Sequence, residues 1–402
     1  MRLSIYTTHL LAVFLLSGCL SESRPRDSSR VQTTDSAGVR VVENAVAPSD
    51  LPRSWVVSDA PVIEIGLGRN ADDELFRVAG ALRLSDGRIL VANAGTAEIR
   101  VYDVSGAFVE AWGREGEGPG EFTALSTIHR WRADSIAAWD RSHDRLTFFD
   151  SHGRVGRTES ILFSAGQPSA FPVAVLADTL ILGSSQVRFT AGEHDSGLAR
   201  PSRTYALFDA EGQVAIELGQ HPGREYYVAT REGFFTAFSH PFGRYAVATT
   251  WGDRIVISPN DSYELSVYDR TGELDMIVRR QWDPIPVTTS DIDRWVAERV
   301  QAEEDAGRPQ VAVLYQDLPT VPYQPAFTRT VPDPLGYLWV SDYSSAADAT
   351  TTWWVYDQAG RAVDAVETPA GLQVFEIGVD YVLGEMVTEL DVETVQVWSL
   401  AR

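Results

Sequence analysis

The chain has 402 residues, of which 44% are hydrophobic, and its 56 acidic residues outnumber 34 basic ones to give a net charge of -22. A surface this acidic would repel the phosphates of nucleic acid and the head groups of an anionic membrane, so we expect the folded body to bind neither. The single cysteine, Cys19, excludes a disulfide bond within the body and catalysis by a thiol there.

Residues 1–18 are predicted to form the signal peptide of a lipoprotein. A short basic start precedes the apolar stretch Leu3–Leu16, which is too short to favour a membrane-spanning helix. The sequence Leu16-Ser17-Gly18-Cys19 then resembles the bacterial lipobox, in which the cysteine receives lipid and becomes the mature N-terminus. An ordinary signal peptide with an incidental cysteine is the alternative. The resemblance implies attachment to a membrane through lipid at Cys19.

Residues 19–37 are predicted to form a flexible tether, because Ser, Thr, Arg and Asp dominate and apolar residues are few. Leu20 stands where lipoproteins retained at the inner membrane tend to carry Asp. The lipobox resemblance therefore implies a lipid-anchored protein of the cell envelope, with the outer membrane, facing the periplasm, favoured over the inner membrane.

An aromatic-Asp-x-x-Gly element recurs five times in the body of the chain. Each copy follows one alternating apolar run and precedes another, which predicts a β-hairpin whose Asp accepts hydrogen bonds from the turn backbone. The five copies are Tyr102–Gly106, Phe149–Gly153, Phe208–Gly212, Tyr268–Gly272 and Tyr356–Gly360.

A second element, a turn followed by an apolar strand, lies upstream of each copy and occurs a sixth time near the C-terminus. Its copies are Asp86–Val91, Ala133–Ala138, Ala177–Leu182, Gly252–Ile257, Leu335–Val340 and Val379–Leu383. Six units of about four strands each predict an all-β fold, a six-bladed β-propeller that occupies residues 38–402.

The sixth unit ends after Thr394–Trp398, where its turn and outermost strand would come. An unpaired edge there would invite aggregation, so the N-terminal region must supply the missing strand. Two segments fit, Val39–Val42 and Val62–Gly66. We favour Val62–Gly66 as the strand that closes the ring, with Val39–Val42 as an extra strand beside it.

The glycine-rich segment Gly113–Phe122 links the first unit to the second. Together with the two turn elements, it resembles the six-bladed propellers related to NHL repeats. The opening segment Thr34–Glu43 is similar to bacterial members of that group, many of them predicted lipoproteins of unknown role. The resemblance implies a fold and leaves the function open, because propellers host both binding and catalysis.

A long insertion, at about residues 283–320, separates the fourth and fifth blades. Within it, Ser290–Val300 has the apolar spacing of a helix, with Thr289 or Ser290 as its N-cap. Two interpretations stay open: a surface helix packed on one rim of the disc, or a lid over the central channel.

The sequence contains no His-Glu-x-x-His motif, no EF-hand loop and no cysteine pair. No metal site, cofactor or catalytic residue is therefore predicted. His129 and His240 lie near innermost strands, where they could face the channel.

The strongest remaining signal is a concentration of aromatic and Arg side chains in the linker before the fourth blade, joined by two aromatics of the next linker. Such linkers open onto one face of the disc around the channel mouth, where these side chains suit a carbohydrate, a peptide or an aromatic acid. The alternative is that they fill hydrophobic core. The candidate ligand-binding residues are Arg224, Tyr226, Tyr227, Phe235, His240, Arg244, Trp282 and Tyr323.

These observations favour a non-catalytic binding or scaffold module that takes a small ligand, glycan, peptide or protein partner at the channel mouth. The alternative is a propeller enzyme, such as a metal-dependent lactonase, a hydrolase or a lyase. That alternative requires carboxylates and His or Asn side chains that converge in the channel.

Overall fold

A computed structural model describes residues 31–402, apart from 69–73, 165–168, 178, 191–195, 232–233, 346–347 and 389. The predicted signal peptide, Cys19 and most of the predicted tether lie outside the described residues. Within them, no helix has the length and apolar composition needed to cross a bilayer.

Four short strands come first in the chain: β1 (Val31–Ser36), β2 (Val39–Asn44), β3 (Val56–Val57) and β4 (Ile63–Ile65). Blade 1 follows as β5 (Val78–Arg83), β6 (Ile89–Asn93), β7 (Glu98–Tyr102) and β8 (Phe108–Trp112). Blade 2 consists of β9 (Leu125–Trp131), β10 (Ser135–Asp140), β11 (Arg145–Phe149) and β12 (Val155–Glu159).

The chain leaves the sheet of blade 3 and returns to it, and a hairpin that the sequence did not predict follows the blade. The strands of this region are β13 (Phe171–Leu176), β14 (Leu180–Ser184), β15 (Gly197–Ala199), β16 (Ser202–Phe208) and β17 (Val214–Pro222). The hairpin strands are β18 (Tyr226–Arg231) and β19 (Phe234–Ser239). Strand β15 leaves blade 3 and pairs with β18, so that β15, β18 and β19 form a separate small sheet.

The second half of the ring contains the helical insertion. Blade 4 consists of β20 (Ala246–Trp251), β21 (Arg254–Pro259), β22 (Glu264–Tyr268) and β23 (Leu274–Arg280), followed by helices α1 (Thr289–Asp305) and α2 (Pro309–Ala312). Blade 5 consists of β24 (Phe327–Pro332), β25 (Leu338–Asp342), β26 (Thr350–Tyr356) and β27 (Ala362–Pro369). Blade 6 begins with β28 (Gln373–Ile377), β29 (Tyr381–Val387) and β30 (Glu393–Ala401).

The described residues thus form six antiparallel blades, as the repeat predicts. The first strand of each blade lies innermost, and neighbouring innermost strands contact one another in the ring order β5, β9, β13, β20, β24, β28 and back to β5. All six innermost strands begin on one face of the disc, which we call the upper face, because the linkers between blades enter there. A central channel runs between these strands.

The predicted Asp-x-x-Gly turns join the two outer strands of a blade. In the first copy, the Asp103 carboxylate accepts hydrogen bonds from the backbone amides of Ser105 at 2.8 Å and Ala107 at 3.0 Å. Gly106 adopts a φ of 85°, a conformation that only glycine takes without strain. Asp150, Asp209, Asp269 and Asp357 bond their own turns in the same way. Each predicted turn therefore closes a hairpin through its Asp.

Hydrophobic core lies between the blades. One buried cluster fills the space between each pair of neighbouring blades, and a seventh cluster lies outside the ring. Trp251 of blade 4 packs with Phe327 and Trp354 of blade 5, and none of the three side chains is measurably exposed. Both faces of each blade are therefore buried, which explains why the strand sequences are apolar over several consecutive residues.

The ring closes through the segment that the sequence favours. Strand β4 pairs with the C-terminal strand β30, with Ile65 opposite Val395 and Ile63 opposite Val397. Gly66 follows at a φ of 109°, and a Cβ atom there would lie 2.6 Å from the carbonyl oxygen of Glu393. The missing outermost strand of blade 6 is thus supplied by the N-terminal region.

The placement of Val39–Val42 beside the closing strand is wrong. These residues belong to β2, which pairs in parallel with β23 on the outer edge of blade 4, and β1 adds a further strand outside it. The alternating pattern of the segment predicts a strand but does not specify its partner. Residues 31–36, which the sequence assigns to the tether, form β1 instead of continuing as flexible chain.

Between β2 and β4 the chain crosses the outer edge of blade 5. The buried Asn44 side chain donates to the carbonyls of Gly360 at 3.0 Å and Arg279 at 3.2 Å, and accepts from the Ala362 amide at 2.8 Å. Further along, Ser54 donates to the buried Asp364 through both its backbone amide and its hydroxyl. Residues 31–65 therefore form a belt that contacts blades 4, 5 and 6.

The truncation that removes residues up to Gly66 tests this closure. Loss of β4 leaves β30 unpaired and removes the belt, so we expect an insoluble or molten body without a cooperative thermal transition. Removal of residues up to Ser36 is the matched control. It deletes only the exposed edge strand β1 and should preserve a cooperative transition. A cooperative, soluble protein after the longer truncation would contradict this mode of closure.

Candidate functional site

The central channel encloses a cavity of about 460 Å³. Its walls are the six innermost strands, which present mainly Ala, Val and Thr side chains to the opening. Four polar side chains differ from this background: His129, Arg130, Arg329 and Gln373. A cleft lined by small side chains, with several polar groups that converge on it, can hold a small molecule.

Arg329 has no partner for its charge within the described part of the chain. No carboxylate lies within ion-pair distance of its guanidinium, and no acceptor lies within hydrogen-bond distance. The charge of this group interacts with Tyr245 of blade 4 and Glu385 of blade 6, the two blades that flank it. The guanidinium therefore reaches into the channel, near its upper mouth, instead of packing between two sheets.

Glu385 is the carboxylate whose charge acts on Arg329, but its hydrogen bond is made with another residue. It is 8% exposed and accepts a hydrogen bond of 3.2 Å from the Gln373 side-chain amide. Burial raises the pKa of Glu385 to about 7, and the charge of Glu393 adds to the rise while Arg329 opposes it. Glu385 is therefore only partly charged at neutral pH and neutralises Arg329 incompletely.

His129 lines the channel, as the sequence suggests. Its Nε2 atom lies 3.4 Å from the Thr127 hydroxyl. Burial lowers the pKa of His129 to about 4, although a hydrogen bond with the backbone of Pro172 favours the charged form. The imidazole is therefore neutral at physiological pH and offers one donor and one acceptor.

Tyr245 connects the channel to the linker that the sequence singled out. Its hydroxyl donates to the Thr328 carbonyl at 2.7 Å, next to Arg329. The guanidinium of Arg224 lies 3.9 Å from the centre of the Tyr245 ring. Arg224 thus contacts Tyr245, which packs beside the channel wall, without lining the channel.

None of the eight candidate residues lines the channel. Three of them, Tyr226, Tyr227 and Phe235, belong to a small subdomain, here called the cap, which consists of β15, β18, β19, α1 and α2. Tyr227 is 5% exposed and packs edge-on against Phe238, which stacks on Trp295 of α1 at 5.8 Å. The linker aromatics therefore form the core of the cap, whereas the sequence left open a ligand site or core between blades.

His240 directly follows β19 at the base of the cap and does not line the channel, so its expected place is wrong. It is 2% exposed, its Nε2 atom lies 2.8 Å from the Pro319 carbonyl oxygen, and its Nδ1 accepts from the Phe242 amide at 3.2 Å. Both ring nitrogens thus have backbone partners. The reason for the error is that the linker folds back as a hairpin instead of running along the channel mouth.

Arg244 forms a structural ion pair. Its guanidinium donates to the buried Glu225 carboxylate at 2.5 and 3.1 Å and lies 3.6 Å from Asp261. Asp261 in turn accepts two hydrogen bonds of 2.7 Å from Arg200. These four side chains tie the base of the cap to blade 4.

The remaining candidates lie apart from one another. The Tyr226 ring contacts Phe189 at 4.9 Å, and Phe235 is half-buried in β19. Trp282 packs against the core between blades 4 and 5, whereas Tyr323 is 45% exposed. Ligand contact by these residues stays a prediction, and the structure does not gather them around one cavity.

Helix α1 rests on the hairpin of the cap. It begins at Thr289, one residue from the expected Ser290, and its N-cap is Thr288, whose side chain forms a capping box with Asp291. Its buried Ile292 joins the cap core. Among the described residues, those that line the channel include none from the insertion, which agrees with a surface helix packed on one rim of the disc.

Arg329 is not recognisable as a candidate site residue from the local sequence. It lies in the segment Phe327-Thr328-Arg329-Thr330-Val331, which reads as an ordinary strand with an exposed arginine. The sequence indicates only that Arg329 lies in the first strand of a blade, and the first strands line the channel. Among the described residues, no group of three or more His, Cys, Asp or Glu side chains is placed to hold a metal ion.

Comparisons with known proteins agree on the fold. Residues 70–161, which include blades 1 and 2, match the model of the DUF5128 family, described as a 6-bladed beta-propeller. No curated protein matches the chain. The expected resemblance to six-bladed propellers is therefore confirmed.

Solved structures of similar fold come from several bacteria. A member of the DUF4221 family from Bacteroides vulgatus ATCC 8482 has a TM-score of 0.50 and 9% identity, covering 87% of this chain and 99% of that one. A provisionally named exported protein of Bacteroides fragilis NCTC 9343 has a TM-score of 0.48 and 13% identity, with 90% and 99% coverage. Virginiamycin B lyase from Staphylococcus aureus has a TM-score of 0.41 and 10% identity, with 87% and 99% coverage. At such identities, a structural likeness shows the shared fold alone.

The structural role of Arg244 can be tested by its removal. The Arg244→Ala variant leaves the buried Glu225 carboxylate without its cation, so we expect the free energy of unfolding to fall by about 3 kcal/mol. The double variant Glu225→Gln, Arg244→Ala should recover part of this loss. Denaturant unfolding measures both. Unchanged stability in Arg244→Ala would contradict the structural role.

The pKa of Glu385 makes stability depend on pH. Because the folded pKa of about 7 exceeds the ordinary value of 4.5, the folded state holds the proton longer than the unfolded chain. The contribution of Glu385 to the free energy of unfolding is therefore complete below pH 4.5 and is lost as the pH rises to about 7. Relative to wild type, the unfolding free energy of Glu385→Gln should rise by about 2–3 kcal/mol over this range.

The His129→Gln variant provides the opposite control. The folded pKa of His129, about 4, lies below its ordinary value of 6.5, so wild type loses stability as the pH falls from 6.5 to 4. The unfolding free energy of the His129→Gln variant should fall less over this pH interval. Denaturant unfolding at pH 4, 5, 6, 7 and 8 separates the two groups, and parallel profiles for wild type and both variants would refute these shifts.

Proposed function

We propose that this six-bladed β-propeller is an exported, lipid-anchored binding module that takes a small ligand into the upper end of its channel. The observation that carries the proposal is Arg329, a guanidinium that lines a cavity of about 460 Å³ without a partner in the described part of the chain. A half-buried cation without a partner is less favourable than a paired one, and a ligand that enters the channel would relieve that penalty.

The rest of the upper channel supports the same function. Gln373, His129 and the threonines of the wall supply uncharged donors and acceptors around Arg329. The cap fixes the linkers that lead into blades 4 and 5 and includes no residue of the channel wall. A rigid wall with a few polar groups binds a ligand with little reorganisation.

The lipid anchor is part of the proposal and rests on the lipobox resemblance at Cys19. The described chain begins with β1 on the outer edge of blade 4, away from both channel mouths. Attachment there would leave the upper mouth open to solvent. The outer membrane, facing the periplasm, is the proposed location.

The anchor is tested by growth with a radiolabelled or alkyne-bearing palmitate. We expect the wild-type chain to be labelled and to fractionate with membranes. The Cys19→Ala variant should carry no label and leave the membrane fraction. Labelling that persists in this variant would exclude Cys19 as the attachment site.

Ligand binding in the channel is tested by steric blockade. The full chain, purified from membranes in mild detergent, is screened against small metabolites by thermal unfolding. A ligand at one hundred times its Kd should add about 2.7 kcal/mol to the unfolding free energy and raise Tm by several degrees. The Ala79→Phe variant, which fills the channel from blade 1, should lose this response.

The matched control is Ala111→Phe, which places the same ring on the exposed outer strand of blade 1 and should respond as wild type does. Both variants must unfold cooperatively for the comparison. Equal responses in Ala79→Phe and Ala111→Phe, or no response to any compound in wild type, would overturn ligand binding in the channel.

A further inference from the structure

The arginines near the two channel mouths differ in how their charge is compensated. At the lower mouth, a funnel of about 870 Å³ is lined by Arg83, Arg130, Glu376 and Tyr381 among others. Arg130 lies 3.2 Å from both Glu376 and Asp134, and Arg83 stacks on the Tyr381 ring at 4.7 Å. These arginines of the lower mouth therefore have partners within the protein.

Near the upper face, Arg77 and Arg141 are exposed to water, whereas three less exposed arginines differ in their partners. Arg244 is paired with Glu225, and Arg280 lies 2.5 Å from Asp342 while it stacks on Tyr263 at 3.9 Å. Of these three, Arg329 has neither a carboxylate partner nor a stacked aromatic ring in the described part of the chain. The fold thus compensates neighbouring cations and leaves this one available.

The surroundings of Arg329 indicate why no internal carboxylate takes the position. Glu385 is engaged by Gln373 and lies close to the second carboxylate of Glu393, which accepts a hydrogen bond of 2.7 Å from the Val78 amide. Glu385 faces blade 1, on the side of its strand that carries Leu383, whereas Arg329 extends from blade 5. An oxyanion in the channel could reach the guanidinium from the open side.

We propose that the ligand carries an oxyanion, a carboxylate or a phosphate, which Arg329 binds near the upper mouth of the channel. This inference rests on the proposed function and names its ligand chemistry. The guanidinium fork matches the two oxygens of either group and forms two parallel hydrogen bonds with them. Gln373 can donate to the same anion, and Glu385 in its protonated form can donate or accept at a neighbouring hydroxyl.

The acidic exterior restricts which oxyanions reach the site. With a net charge of -22, the protein repels anions in proportion to their charge, so a polyanion meets a larger barrier than a monocarboxylate. The channel excludes large ligands by its volume of about 460 Å³. Small molecules with one such group therefore fit the site better than nucleic acids or acidic polymers.

The test uses butyrate, inorganic phosphate and butyramide as probes on the full chain, at constant ionic strength maintained with chloride. Butyrate and butyramide share size and shape but differ in charge, and the phosphate arm distinguishes the two sources of oxyanion. We expect butyrate or phosphate, and not butyramide, to raise Tm. The Arg329→Gln variant should weaken this binding roughly thirtyfold or more, because one partner of a desolvated charge pair is lost.

Two further variants make the result specific. Arg329→Lys keeps the charge without the fork and should bind with intermediate affinity, whereas Arg83→Gln removes a cation of the lower mouth and should bind as wild type does. Stabilisation that survives in Arg329→Gln, disappears in Arg83→Gln or is equal for butyramide would overturn the proposal. So would the absence of any effect of both oxyanions on wild type.

Chemical modification provides a readout that requires no variant. Phenylglyoxal should modify Arg329 in wild type, and butyrate or phosphate should protect it, as followed by peptide mass spectrometry. Modification of Arg329 that neither anion slows would refute the inference even if Arg329→Gln fails to fold. If the steric-blockade screen yields a neutral ligand while both oxyanions fail, only this inference falls and the proposed function stands.

Discussion

The pairing of β4 with β30 closes the ring of blades, and the between-blade cores and the channel both require that closure. A ring of blades has no edge only if its last blade is completed, and here strands from opposite ends of the chain complete it. Six between-blade clusters bury their aromatic side chains because every blade has a neighbour on both sides. The channel exists for the same reason, since its walls are the innermost strands of a closed ring.

The belt extends this closure over half of the ring. Residues 31–65 add two strands to blade 4, fasten to blade 5 through Asn44 and Ser54, and then complete blade 6. A chain without a disulfide thereby links three blades by hydrogen bonds and by the burial of Val42, Val57 and Ile65 in the cores between blades. The described residues begin at the outer edge of blade 4, away from the walls of the channel.

The cap and the channel divide the polar residues between two tasks. In the cap and at its base, His240, Arg244 and Glu225 are satisfied by one another and by backbone, which gives them structural roles. In the channel, Arg329 lacks such a partner, and the nearby Glu385 titrates near neutral pH. The channel is the candidate site because the charge of Arg329 has no partner there, and not because the channel contains more polar residues.

The fold is predictable from local sequence signals. A turn-and-strand element recurs six times, the Asp-x-x-Gly turns bond their own backbone, and the missing sixth turn requires an N-terminal strand. The partner of β2, the hairpin in the cap and the position of Arg329 are visible only in the folded chain, because each depends on contacts between segments far apart in the sequence. Alternating apolar residues predict a strand, and a run of aromatic residues predicts burial. Neither pattern specifies which segment packs against it. Whether the charge of Arg329 has a partner likewise depends on residues of three blades, so no local sequence pattern predicts it.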